Sequence, residues 1–198
     1  MANQDLKKLI EDTVDKIQDV GFIETFNEKL EGNKVIWTKG PCFSIIPLEL
    51  QLSGLTPAKP LNGEPKNKKN VCKSYFSDDE LVGVDIYNSH GELHEREIVK
   101  RGTDKVFSVR KSIKYQEIFW LEAVVLQGNK VVEACRVDSD MEHWAYSYDW
   151  QGSKIISLIS LASNSVPDTL IKADYGPDES LVRLFFTVDG HEVDIYKA

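Results

Sequence analysis

A chain of 198 residues that is 41% hydrophobic and 28% charged has the apolar mass for one globular domain of ordinary size. Its 32 acidic and 24 basic residues give a formal net charge of -8, which excludes general nucleic-acid binding and leaves room for a basic protein partner. The polar start MANQDLKKLIEDTVDKI is no signal peptide, no apolar run approaches a membrane span, and Cys42, Cys72 and Cys135 form no disulfide framework. The expectation is therefore a cytoplasmic protein with reduced thiols, away from the membrane.

Residues 4–20 predict an amphipathic helix, with Leu6, Leu9, Ile10, Thr13, Val14, Ile17 and Val20 at helical spacing, Asn3 as N-cap and Gly21 as the stop. Residues 22–30 are ambiguous: Phe22, Phe26 and Leu30 suit a helix, yet LEGNKVI at 30–36 resembles LQGNKVV at 126–132, which lies between strand-like runs. The reading is helix before Leu30 and strand after Asn33, so 1–31 forms a helical segment. Residues 40–75 hold five of the seven prolines, and TPAKPLNGEPKNKKN reads as a long, basic, solvated loop.

From Tyr75 to the end, short β-rich runs follow one another: LVGVDIY, LHEREIV, VFSVRKSI, EIFWLEAVVL, KVVEACRV, HWAYSYDW, KIISLISLA, TLIKADY, LVRLFFTV and EVDIYK. Gly91, Gly128, Gly152 and Gly190 sit between runs, where tight hairpins need positive φ. Residues 76–98 carry seven acids and one arginine, and 99–116 six bases and one acid, so neighbouring antiparallel strands of opposite sign can pair. The predicted fold is mainly β, a single domain over 1–198. An antiparallel meander of about ten strands, an arrangement that resembles part of a propeller, spans 75–198, with the N-terminal helix packed on it.

In DSDMEHWAYSYDWQG, Trp144, Tyr146, Tyr148 and Trp150 share one strand face, and Asp138, Asp140 and Glu142 continue the parity. Such a row is chiefly a core wall, with a gripping edge near Asp138–Trp144 where aromatic anchors and flanking acids would suit an interface. A second acidic surface is expected on the hairpin of Asp78, Asp79, Glu80, Glu92 and Glu95. No catalytic residue, metal site or cofactor is predicted. His90 and His94 flank a hairpin glycine rather than a helix turn, and two histidines are too few for zinc. No nucleophile elbow, phosphate loop or dinucleotide fingerprint occurs. Acids beside an aromatic row could serve sugar chemistry, but DSDM is ordinary turn material.

Tyr148, Asp149 and Gly152, and Tyr87, Gly91 and Leu93 with Asn88 in place of the aspartate, resemble the tyrosine-aspartate hairpin repeats of bacterial Rhs-type toxin shells. More broadly, an acidic chain with an N-terminal helix, a β meander and no catalytic motif resembles the immunity proteins of contact-dependent growth inhibition and related polymorphic toxin systems. That resemblance implies a monomer or weak homo-oligomer that neutralises a cognate toxin domain, often a basic nuclease. The alternatives are a carbohydrate-binding module or carbohydrate-active enzyme using the Trp144–Trp150 row, and a structural or chaperone subunit.

Overall fold

The structure, a computed structural model, describes residues 2–27, 29–163 and 168–198. It is mainly β. Twelve strands pair in chain order, every pairing antiparallel: β1 (Lys34–Thr38), β2 (Cys72–Ser77), β3 (Glu80–Tyr87), β4 (Leu93–Arg101), β5 (Lys105–Ser112), β6 (Ile118–Gln127), β7 (Lys130–Asp138), β8 (His143–Gln151), β9 (Lys154–Ala162), β10 (Thr169–Tyr175), β11 (Leu181–Val188) and β12 (His191–Lys197). The sheet does not close, since β1 and β12 do not pair. The hairpin glycines Gly91, Gly128, Gly152 and Gly190 take φ of 83°, 63°, 60° and 79°, the left-handed region that a side chain disfavours.

The ten expected runs are all strands; β1 follows Asn33 as read, and β2 is an addition that begins inside the proline-rich region. The N-terminal helix differs at both ends. Helix α1 (Ala2–Gln18) begins ahead of Asn3, so that residue lies within it. It ends before Gly21 because Asp19 accepts the backbone N–H of Phe22 at 3.1 Å and starts a short second helix, α2 (Val20–Glu24). Val20, expected on the apolar face, is 70% exposed as a result. Helix α2 ends at Glu24, short of Leu30, where the helical reading places its end.

Alternation along each strand divides the sheet into two apolar faces. On one, Leu6, Leu9, Ile10 and Ile17 of α1 are buried against Leu121, Ala123, Cys135, Val137 and Ala145. Fully burying such a leucine or isoleucine contributes about 1.5–3 kcal/mol. The helix lies over a trough: Ala123, Cys135 and Ala145 are successive cross-strand partners, small and fully buried. The other face is covered by residues 41–53, which include α3 (Glu49–Leu52). Phe43 meets Phe76 of β2 edge-on at 5.0 Å, Pro47 O accepts the Tyr148 hydroxyl at 3.0 Å, and α3 rests against β12. In a flat sheet β2 and β12 would stand about 48 Å apart, at about 4.8 Å per strand. The chain from Phe43 to Leu52 reaches about 30 Å at most. The sheet is therefore curled around this segment, which acts as its plug.

The expected solvated loop is tethered. Ala58 N–H donates to Pro41 O at 2.9 Å, Leu61 N–H donates to Trp37 O at 2.8 Å, and Lys68 Nζ lies 5.3 Å from the Trp37 ring centroid and 5.5 Å from that of Tyr87.

Candidate functional site

In the middle of the plug face, alternation delivers charged residues where apolar ones are usual. Glu97 of β4 stands opposite Arg110 of β5, and Arg110 opposite Trp120 of β6. One row along, Ser108, Glu122, Arg136 and Trp144 are successive partners across β5–β8. Glu97 and Glu122 are 7% and 1% exposed. Buried charges persist only when paired or neutralised, so the contacts of this cluster decide its chemistry.

Arg136 is the best supported. Its Nε donates to Glu122 Oε1 at 3.0 Å, its Nη2 bonds the same oxygen, and it also pairs with Glu49 of α3, pinning the plug to the sheet. Arg110 donates through Nε to Glu95 Oε2 at 2.7 Å, with Nη2 2.6 Å from that oxygen. Both guanidiniums lie over Trp120, each 4.4 Å from its ring centroid, and its Nε1 is buried without a partner among the described residues. Burial lowers the Arg136 guanidinium to about 10, so it stays charged at neutral pH. Burial raises the Glu97 carboxyl and pushes Glu122 well above the usual range, and Glu97 beside Glu122 adds to that rise.

Two hollows open at the ends of this cluster. One, of about 250 Å³, lies between residues 40–43 and β2–β5, with Glu97 and Arg110 in its lining. The other, of about 390 Å³, lies beside α3 and is lined by Glu49, Leu52, Arg136, Trp144 and Tyr146 among others.

The aromatic row is mostly wall. Tyr148 is 7% exposed, Tyr146 and Trp150 pack against the plug-face core, and Trp150 Nε1 donates to Val131 O at 2.8 Å. The Trp144–Tyr146 end borders the second hollow.

The nominated acids do not form one surface. Asp78 and Asp79 form the β2–β3 turn and Glu80 begins β3, at the end of the sheet opposite the β3–β4 turn of Glu92 and the β7–β8 connection of Asp138, Asp140 and Glu142. Those last two turns are separated by β4–β7, about 20 Å along the sheet at the usual strand spacing. Several acids are engaged locally. Asp138 Oδ1 accepts the backbone N–H groups of Asp140 at 2.9 Å and Glu142 at 3.0 Å, which is turn formation. Asp79 pairs with Lys34 at 2.8 Å, Glu80 with Arg101 at 3.0 Å, and Glu92 accepts from Asn88 Nδ2 at 3.3 Å. His90 and His94 flank the Gly91 hairpin, as the spacing predicts.

Sequence reasoning missed Glu49, Glu97, Arg110, Glu122 and Arg136. Their signal is present: each strand residue among them falls on the parity that carries apolar residues elsewhere in its strand, as in IFWLEAVVLQ. Among the described residues no helix is long and apolar enough to cross a membrane. Comparison with protein-family models, with curated proteins and with solved structures finds no match.

Proposed function

We propose that this protein works by binding, as a cytoplasmic immunity-type protein that sits on a basic toxin domain and occludes it. The observation that carries the reading is where surplus acid collects. Asp12, Asp15 and Asp19 of the helical segment, with Asp104 of the β4–β5 turn, rim an open hollow of about 530 Å³. Its two lysines offset only part of this: Lys105 pairs with Asp12 at 3.3 Å, and Lys16 Nζ lies 4.6 Å from the Phe22 ring centroid. A net charge of -8 with exposed acids on this corner and on the turns at both ends of the sheet would draw in a basic partner. Such steering raises association rates by about 10 to 10³ and fades as salt screens it.

The test is stopped-flow association with the captured partner at low and high salt, for the wild type and for a variant carrying Asp15→Ser and Asp104→Ser. Asp19 is left intact because it caps α2. The variant is expected to associate several-fold more slowly at low salt, with unchanged thermal stability, and the difference to vanish at high salt. An association rate indifferent to salt would overturn the reading.

A further inference from the structure

The hollow between residues 40–43 and β2–β5 contains a carboxyl that the protein leaves half-matched. Glu97 Oε1 accepts the Ser108 hydroxyl at 2.8 Å. Its other oxygen has no hydrogen-bond donor, and no ion pair reaches Glu97, among the described residues. The nearest cation, Arg110 across the strand, is spent on Glu95 and stacked on Trp120. Around the whole row, two guanidiniums (Arg110 and Arg136) face four carboxyls (Glu49, Glu95, Glu97 and Glu122). Carboxyls outnumber guanidiniums, and the one that no ion pair reaches opens on a cavity.

We propose that this hollow is a binding site for an organic cation on an aliphatic stem, a primary ammonium or a guanidinium, with Glu97 as its counter-ion. The walls supply the rest of the match. Pro41, Phe43, Val84 and Ile86 offer apolar surface to methylenes, and the Phe43 ring is held in place by Phe76. A volume of about 250 Å³ is below the range usual for drug-sized ligands, and suits a short alkyl chain with a charged head rather than a sugar or nucleotide. An anionic ligand would add to the carboxyl surplus. A neutral apolar one would remove water from Glu97 and give nothing back.

The protonation of Glu97 follows the same logic. Burial is the main cause of its raised pKa; Arg110 and the Ser108 hydroxyl oppose the rise and Glu95 adds to it, and the buried thiol of Cys72 and the partly exposed one of Cys42 also line the hollow. An entering cation favours the ionised form, so binding releases a proton and weakens as pH falls. A lysine or arginine side chain of a basic partner and a free amine share this chemistry; the first source rests on the function proposed above, the site itself does not.

The experiment is an NMR titration of protein labelled with carbon-13 at the glutamate carboxyls. The probes are n-butylammonium, n-butylguanidinium, pentanoate and 1-butanol. The two cations are expected to shift the Glu97 signal and lower its pKa, while pentanoate and butanol leave it unchanged. Glu97→Gln, which keeps volume and can still accept from Ser108, should weaken the cations by at least about tenfold, the loss expected of one charge-assisted hydrogen bond. It should also abolish the pH dependence. Cys42→Phe, which fills the hollow from its loop side and leaves Glu97 in place, should do the same to affinity. Capped Ala-Lys-Ala and Ala-Arg-Ala peptides distinguish the sources: binding equal to the butyl cations assigns the site to a protein side chain, and binding of the free cations alone assigns it to a small amine. Absence of cation binding to the folded wild type would overturn the site. So would cation binding indifferent to both variants, or equal response to pentanoate or butanol. Because no toxin is present, failure here is separate from failure of the immunity reading.

Discussion

Glu97 and Glu122 share the interior of the plug face, and burial raises the pKa of each. The folded state then holds their protons more tightly than the unfolded chain does. The stability this contributes is fully present below the ordinary glutamate value of about 4.3 and is lost as pH rises through the raised folded value. Glu97→Gln removes one such group. In urea melts its stability relative to wild type should improve from pH 5 to pH 8, and a wild type that gains on the variant over that interval would refute the assignment. The thiols make a second residue-level test. Burial pushes Cys72 up to about 11 and Cys135 up to about 12, while Cys42 is only half-buried. One thiol should react with an aromatic disulfide reagent in the native protein and three after unfolding, and a second fast native thiol would contradict the packing. At this scale the sequence was partly legible. A glutamate within LEAVVL breaks the apolar parity visibly, but its partner Arg136 lies on another strand and Glu49 on the plug, so the pairing could not be read. Asp138 was read correctly as turn material because an aspartate caps residues two and four ahead, a purely local act.

Elements defined by local signals were the most legible. Strands β3–β12 follow from alternation and from glycine or Asx turns, both contained within a few residues. β2 and α3 were not read, because CKSYFS abuts a lysine-rich loop and ELQL lies in a proline-rich stretch; β2 has a distant partner in β1 on one side, and α3 is held by Arg136 of β7. The seat of α1 was illegible for the same reason: Ala123, Cys135 and Ala145 are unremarkable singly and become a trough only through the register of β6–β8. Enlarging that trough's floor with Ala145→Leu should cost about 1–3 kcal/mol by overpacking, and Leu9→Ala above it about 2–5 kcal/mol by leaving a cavity. Chemical denaturation measures both, and a neutral Ala145→Leu would mean that the helix does not lie there. Gly83 is a comparable point on β3: a Cβ would run into Leu30 and the Glu97 carbonyl, so Gly83→Ala should loosen the chain after α2 from β3 and β4.

The whole molecule is an open, curled meander plugged on one face and strapped by a helix on the other. Its two edges are guarded rather than paired. β1 takes a bridge from Pro60, and β12 presents Glu192, Asp194 and Lys197, with Arg183 of β11 bonded to both acids. Charge at this scale was legible from composition alone, but the acidic corner at α1 and the β4–β5 turn was not, since residues 12–19 and 104 meet only in the fold. The central claim is that this surface serves a basic protein. Its most direct test is capture from the native host with this protein as bait, followed by elution with a salt gradient and mass spectrometry. The account predicts one basic protein retained in stoichiometric amount, released early in the gradient from the bait carrying Asp15→Ser and Asp104→Ser, and toxic when produced without this chain. Retention of no stoichiometric partner, or of one that is acidic or harmless alone, would contradict it.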